Sequence, residues 1–302
     1  MHTKVLITGG SGLLGSRLTA LLLEKGYKVA HLSRSRNSDG EVKAFLWDPA
    51  KGMIEPGAVE SAHYVVHLAG ASVADHSWSK EYKETIIKSR SESTQLLFQE
   101  LKTTGYQLKG FISASAIGYY GDENGAHWLN ESSPAGQEFL AQVCKTWEAE
   151  ADKIESLGIR LVKLRIGVVL STEGGALPQL LKPSRFGLAA PLGSGRQYMS
   201  WIHIDDLCGI IIKAIEDSSM KGVYNAVAPE PETNERFMEI LAGVLDKPFI
   251  VPAVPAFGIK LAMGERAGMV LGSLRVSSEK IENAGYAFQY EGLRPALRQL
   301  LD

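Results

Sequence analysis

Three shortages bound this chain before any motif is read. It has two cysteines in 302 residues, Cys144 and Cys208, both in helical patterns. Two such thiols cannot build the bridged framework of a small secreted domain, so a reducing compartment is expected. No apolar run reaches the roughly 18 residues that would suggest a bilayer-spanning helix. Met1, His2, Thr3 and Lys4 lead straight into an apolar strand, leaving no room for a signal peptide. Blocks of like charge are missing too, and the formal net charge is −2. A phosphate-tracking nucleic-acid binder needs a basic stripe, so that partner is not expected. The expectation from these absences is a cytoplasmic protein with no nucleic-acid or membrane partner; its association state, monomer or homodimer, stays open.

What is present suits an ordinary globular protein. Apolar residues make up 45 % and charged residues 22 % of the chain, ample for a core. The length allows one large domain or two tightly joined ones. Val5, Leu6 and Ile7 form a short apolar run that ends in glycines, and a helical periodicity follows from Leu14 to Lys25. Gly26 closes that helix and Lys28 to Ser33 reads as the next strand. The alternation continues with strands at 64–68, 110–115 and 159–166 and helices at 79–102 and 137–157. Continuously apolar strands alternating with helices predict an α/β fold, a doubly wound parallel sheet of Rossmann type. Residues 171–200, and 228–272 in part, are rich in glycine and proline, and between them "WIHIDDLCGIIIKAIE" returns to strand then helix, with Asp205 or Asp206 as the expected N-cap. The expected division is a dinucleotide-binding domain over 1–170, rejoined by 200–228, and a smaller substrate lobe from 171–199 and 229–302.

The segment Thr8-Gly9-Gly10-Ser11-Gly12-Leu13-Leu14-Gly15 lies between the first strand and first helix. Gly9 permits the tight turn, Gly12 lets backbone approach a pyrophosphate, and Gly15 lets helix and strand pack closely. Its place at the start of a βαβ unit gives the pattern its meaning. An NAD site usually has an acid at the end of the second strand. This chain has Ser33, Arg34, Ser35 and Arg36 there, with Asp39 the first acid after them. A hydroxyl and a guanidinium suit a 2′-phosphate, so NADP is the expected cofactor.

Taken together, the chain resembles the short-chain dehydrogenase/reductase superfamily, of the extended, sugar-nucleotide-epimerase-like kind. It is most similar to the atypical subgroup of epimerase family proteins with a characteristic C-terminal segment. The matching text is TGGSGLLG, "WDP" at 47–49, "HLAG" at 67–70, "SR" at 89–90, "SASAIGYYG" at 113–121, "VCKTWE" at 143–148, "LRIGVVL" at 164–170, "SWIHIDDL" at 200–207 and "NAVAP" at 225–229. The resemblance implies a Rossmann core, bound NADP(H) and a cleft between core and lobe. It places Gly9, Gly12, Leu13, Leu14 and Gly15 at the pyrophosphate, Ser33 and Arg34 at the 2′-phosphate, and Leu68, Ala69 and Gly70 on the adenosine side. It puts Gly167 and Val169 over the nicotinamide, and Arg90 where relatives carry asparagine. Ser115 matches the superfamily's catalytic serine.

One departure is plain. The superfamily's Tyr-x-x-x-Lys pair shares a helical face, and the ammonium lowers the tyrosine pKa for proton transfer. The aligned positions here are Leu140 and Cys144, and none of the ten tyrosines has lysine four residues on. Cys144 lies inside its helix, away from any activating N-terminus, and reads as packing, as does Cys208. Tyr119 and Tyr120 follow the serine strand and are candidate acids, with Arg90 supplying positive charge. His203 and Asp205 could make a base and its orienter, although an aspartate at a helix start usually caps. Arg266 in "GERAG" faces either substrate or a salt bridge. His63 and His67 are four apart on a strand, which is not the helical spacing of a metal pair, so no metal is expected. The expectation is an NADP(H)-dependent oxidoreductase or epimerase-like enzyme acting by hydride transfer on a small carbonyl or hydroxyl compound. The alternative is a non-catalytic NADP(H)-binding sensor or regulator, which the missing pair favours.

Overall fold

The structure, a computed structural model, describes residues 3–36, 42–122 and 125–302. β1 (Lys4–Thr8) leads through the glycine loop into α1 (Leu13–Glu24), β2 (Lys28–Ser33), β3 (Lys43–Asp48) and the short β4 (Met53–Ile54). The chain then crosses to the other side of β1 with β5 (Tyr64–His67), α2 (Lys80–Thr104), β6 (Gly110–Ala116), α3 (Phe139–Asp152) and β7 (Leu161–Ile166). After these come β8 (Val168–Leu170), α4 (Leu177–Ser184), β9 (Tyr198–Met199), β10 (Trp201–His203), α5 (Ile204–Glu216) and β11 (Gly222–Ala226). The C-terminal part holds β12 (Glu232–Thr233), α6 (Asn234–Val244), α7 (Ala256–Met263), α8 (Gly268–Leu271), α9 (Glu279–Asn283) and α10 (Leu293–Leu301).

The main sheet has the order β11-β7-β6-β5-β1-β2-β3-β4. Its pairs are parallel except β3 with β4. Winding reverses between β1 and β5, and a crevice opens at the carboxyl ends of strands at such a switch point. Side chains alternate across each strand. Leu6, Leu32, Phe45, Val65 and Phe111 join Leu97 and Leu101 of α2 in one core layer. Val5, Ile7, Val66 and Ile112 join Leu18 and Leu22 of α1 and the isoleucines of α5 in the other. Both faces are covered, which is why the strands are apolar throughout.

A separate core joins α4, α6 and α10 around Leu181, Phe237, Leu241, Leu297 and Trp201. β10 pairs with β8 and β9 with β12, outside the main sheet. The start of α5 departs from expectation, because neither Asp205 nor Asp206 caps it. The His203 ring accepts the Asp205 N–H at 3.1 Å instead. Asp205 is held by Arg17 at 2.6 and 3.0 Å, tying α5 to α1. Asp206 is buried and accepts from the Tyr286 hydroxyl and the Gln289 and Tyr290 N–H groups. α5 begins at Ile204, so both aspartates lie inside its first turn and His203 holds the cap position, its Nδ1 engaged by the Asp205 N–H. The His203 ring and the Asp205 carboxylate form no base-and-orienter pair.

Candidate functional site

The glycines of the first loop do three different jobs. Gly9 has φ +70, and a methyl group on it would sit 3.2 Å from Ala69 N, so the ends of β1 and β5 touch. A methyl group on Gly15 would lie 2.2 Å from Gly9 O, leaving room for no side chain. Gly12 is the N-cap of α1 at φ −79, with only Gly9 O near its Cβ direction, at 3.3 Å. No side chain caps α1 and no acid lies in its first turn. The orphan N–H groups and the positive end of the helix dipole are therefore left for an anion. Leu13 reaches the glycine loop after β8, 3.5 Å from a methyl placed on Gly174 and 3.7 Å from one on Gly175. Val169 O lies 3.5 Å from the same Gly175 point, so the Leu13 side chain and the Val169 carbonyl both border Gly175. Gly167 has no room for a methyl, which would fall 2.7 Å from Ser200 O.

A buried clasp under this loop was missed from sequence. Thr8 and His67 are register partners on β1 and β5. Thr8 Oγ1 accepts the N–H groups of Leu68 and Ala69, both at 3.0 Å. Its own proton must therefore go to His67 Nδ1 at 2.8 Å. That fixes the proton of the neutral ring on Nε2, which faces Thr94 Oγ1 at 2.9 Å. Burial, with the charge of Arg90 adding to it, lowers the His67 pKa to about 3. The neutral ring thus pins the two strand ends that carry both loops. The available signal was the adjacency of Thr8 and His67 in a parallel pair.

At the end of β2, Ser33 Oγ accepts the Ser35 N–H at 3.3 Å. Arg36 is drawn to Glu55 at 3.2 Å. Arg34 is exposed and has no carboxylate partner among the described residues. Asp39 lies outside the described residues.

Ser115, at the end of β6, is buried and donates to Glu148 Oε1 at 2.7 Å. Glu148 is also gripped by Arg165, at 2.9 Å from Nε and 3.0 Å from Nη2. With its proton so engaged, Ser115 retains only lone pairs to offer. Leu140, Cys144 and Glu148 are spaced along one face of α3, towards the end of β6. A methyl on Gly118 would lie 3.3 Å from Leu140 Cβ, and Cys144 Sγ approaches Ala116 O at 3.6 Å. Burial pushes the Cys144 thiol up to about 11 and that of Cys208 up to about 12, so neither is a thiolate at neutral pH.

The other catalytic candidates separate. Tyr120 is 1 % exposed, donates to Asn225 Oδ1 at 2.6 Å and accepts from Arg165 at 3.1 Å. Burial raises its pKa to about 12. Tyr119 lies with its ring 3.3 Å from the Arg165 guanidinium, and its hydroxyl has no hydrogen-bond partner among the described residues. Arg90 donates to the carbonyls of Ala71 and Ile86, both at 3.0 Å, and stacks 5.1 Å from the Trp147 ring. A methyl on Gly70 would lie 2.9 Å from its guanidinium carbon, so Arg90 props the loop after β5 from below. Arg266 does reach the core, but to the carbonyl of Ala74, at 2.8 Å. Among the described residues no cluster of three or more His, Cys, Asp or Glu could hold a metal ion, and no helix is long and apolar enough to cross a membrane.

Comparison with known proteins covers the whole chain. Residues 5–226 match the NAD dependent epimerase/dehydratase family, and residues 254–300 match a domain of unknown function, DUF1731. Epimerase family protein SSP1921 of Staphylococcus saprophyticus is 35 % identical over 98 % of each chain. The crystal structure of human epimerase family protein SDR39U1 (isoform 2) with NADPH is 31 % identical, with 99 % of each chain covered and a TM-score of 0.88. The nucleoside-diphosphate sugar epimerase of Corynebacterium glutamicum is 33 % identical at a TM-score of 0.80, and this chain spans 58 % of its length.

Proposed function

The chain belongs to the NAD dependent epimerase/dehydratase family, and from that membership we propose that it binds NADP(H) at the switch point between β1 and β5 and works by hydride transfer on a small carbonyl or hydroxyl compound. The observation that carries the reading is the uncapped N-terminus of α1 behind Gly12, open to an anion. Gly9, Gly12, Leu13, Leu14 and Gly15 hold the pyrophosphate, and Leu68, Ala69 and Gly70 line the adenosine side. Ser33 and the exposed Arg34 take the 2′-phosphate, in line with the NADPH of the human relative. Gly167 and Val169 flank the nicotinamide. The bound dinucleotide supplies the hydride chemistry, and the chain supplies binding, orientation and a proton path.

In that path Ser115, which donates its own hydrogen bond to Glu148, accepts one from the hydroxyl form of the substrate, so it acts in the oxidation direction. Tyr119 is the proton donor this reading assigns, because its hydroxyl is uncommitted among the described residues. Arg90 and Tyr120 leave the expected catalytic set and act as supports. Arg90 is folded onto backbone carbonyls and Tyr120 is bound into the interior. The rival reading, an NADP(H)-binding sensor, has its own support in Leu140 and Cys144, which offer no acid at neutral pH.

The test is reduction of NADP by the purified protein with a panel of small alcohols and, in reverse, oxidation of NADPH by small aldehydes and ketones, followed by the change in reduced-nicotinamide absorbance. Turnover should fall at least tenfold, about 1.4 kcal/mol of barrier, in both Ser115→Ala and Tyr119→Phe, and less in Tyr120→Phe. No turnover in a parent that binds NADPH tightly, with a ligand released or captured on reduction instead, would favour the sensor.

A further inference from the structure

The C-terminal lobe carries a band of apolar side chains that nothing in the described chain covers. Phe186 is 83 % exposed, Leu188 57 %, Ile250 80 %, Val254 39 %, Phe257 76 % and Leu261 87 %. Distant segments come together to make it. A methyl on Gly187 would lie 3.8 Å from Pro248. The Val254 N–H donates to Pro191 O and the Gly193 N–H to Val254 O, each at 2.8 Å. A methyl on Gly193 would also lie 3.8 Å from Ala256 Cβ, so the segment 186–193 runs beside 248–256 and on to α7. Phe257 and Leu261 are one helical turn apart on that helix and share a face. α7 reads AFGIKLAM, and only Ile259 of it is buried. A helix apolar nearly all round belongs inside a core or an interface, not in water.

The six fractional exposures correspond to on the order of 800 Å² of apolar-residue surface. The largest patch on a typical monomer is about 300–600 Å². One partner of a standard stable interface contributes about 800 Å². We propose that this band is a twofold interface between two copies of this chain, centred on Phe257 and Leu261 of α7. A twofold contact places the same patch on both partners, so one self-complementary apolar band is all it requires. The interface also borders the candidate site. α7 runs directly into the turn Gly264–Ala267, where Arg266 holds the Ala74 carbonyl and Glu265 pairs with Lys83, so pairing of two copies would brace the contacts between lobe and core.

Charge gives the assembly a signature. Exposed Lys182, Arg185, Lys247 and Lys260 flank the band, and Asp246 is the only acid in 182–188 and 246–263. Two copies bring these cations together, so added salt should tighten the dimer by screening them. Attachment of the same surface to an anionic bilayer would weaken with salt. The overall charge of −2 adds nothing in favour of the bilayer.

Sedimentation equilibrium of the full chain at low and at high salt tests the proposal. The parent should be dimeric at about ten micromolar, with an association constant that rises severalfold in high salt. The Phe257→Ser, Leu261→Ser double variant should be monomeric, with parental circular dichroism and NADPH affinity. Ile250→Ser, on the neighbouring segment, should weaken the dimer at least tenfold and serves if the double variant misfolds. A parent that stays monomeric at about 100 micromolar, or variants that dimerise as well as the parent, would overturn the proposal. So would a monomeric parent that pellets at low salt with phosphatidylglycerol vesicles, which would assign the band to a membrane.

Discussion

Acid should undo the His67 clasp, and the cost follows from its surroundings. The buried ring takes a hydrogen bond from Thr8 at Nδ1 and faces Ser93 and Thr94 with its Nε2–H, so a second proton would have to displace the Thr8 bond. Its pKa is lowered to about 3 by burial and by Arg90. In the unfolded chain a histidine titrates near 6.5. The folded value is the lower one, so the folded state resists the proton. Stability is fully present above about pH 6.5 and is lost as pH falls towards the folded value. Each unit in that window costs about 1.4 kcal/mol, so roughly 2–3 kcal/mol is gone by about pH 4.5. That is a large share of the 5–15 kcal/mol that holds a typical domain together. His31, His63 and His203 are also lowered by burial, so the parent alone would overstate the effect. Urea unfolding of the parent and of His67→Gln, from neutral pH downwards, isolates it. The parent's advantage over the variant should shrink by about 1.4 kcal/mol per pH unit below about 6.5. A gap that does not change with pH would refute the reasoning.

Other substitutions separate binding from folding. Gly15→Ala drives a methyl into Gly9 O and should cost about 1–3 kcal/mol of stability, read by thermal melting. Gly12→Val has ordinary φ and one close neighbour, so it should abolish dinucleotide binding in a fluorescence titration while the dichroism spectrum stays parental. Glu148→Ala strands Arg165, which is 3 % exposed, and should destabilise by about 3–5 kcal/mol in urea. Cys144→Ala removes only a packed sulfur, and should cost about 1 kcal/mol while leaving NADPH affinity and any NADPH turnover within tenfold of the parent.

The sheet and the glycine loop after β1 were legible because their signals are local. An apolar run, three spaced glycines and a helical period all lie within the first 25 residues, and the same alternation repeats to β7. The absence of a Tyr-x-x-x-Lys pair was equally plain, since it is a spacing. What stayed hidden depends on distant residues meeting. Glu148 accepts the Ser115 hydrogen bond across 33 positions, and Arg165 sits between Glu148 and Tyr120, so the serine's polarity could not be read from "SASAIGYYG". The α5 cap was misplaced because the helix starts at Ile204, earlier than the aspartates suggest, and the two carboxylates serve Arg17 and Tyr286 from inside the first turn. The exposed face of α7 was invisible for the opposite reason. "VPAVPAFGIKLAM" looks like material for a core, and only the fold reveals that Ile259 alone of the helix enters one.

The central claim is a dinucleotide with a 2′-phosphate held by the first loop and by Arg34. Isothermal titration of the parent and of Arg34→Ala with NADPH and with NADH tests it most directly. The parent should bind NADPH at least tenfold more tightly than NADH, about 1.4 kcal/mol, and Arg34→Ala should erase that preference while leaving NADH affinity unchanged. Equal affinities in the parent, or a preference that survives loss of Arg34, would contradict the account.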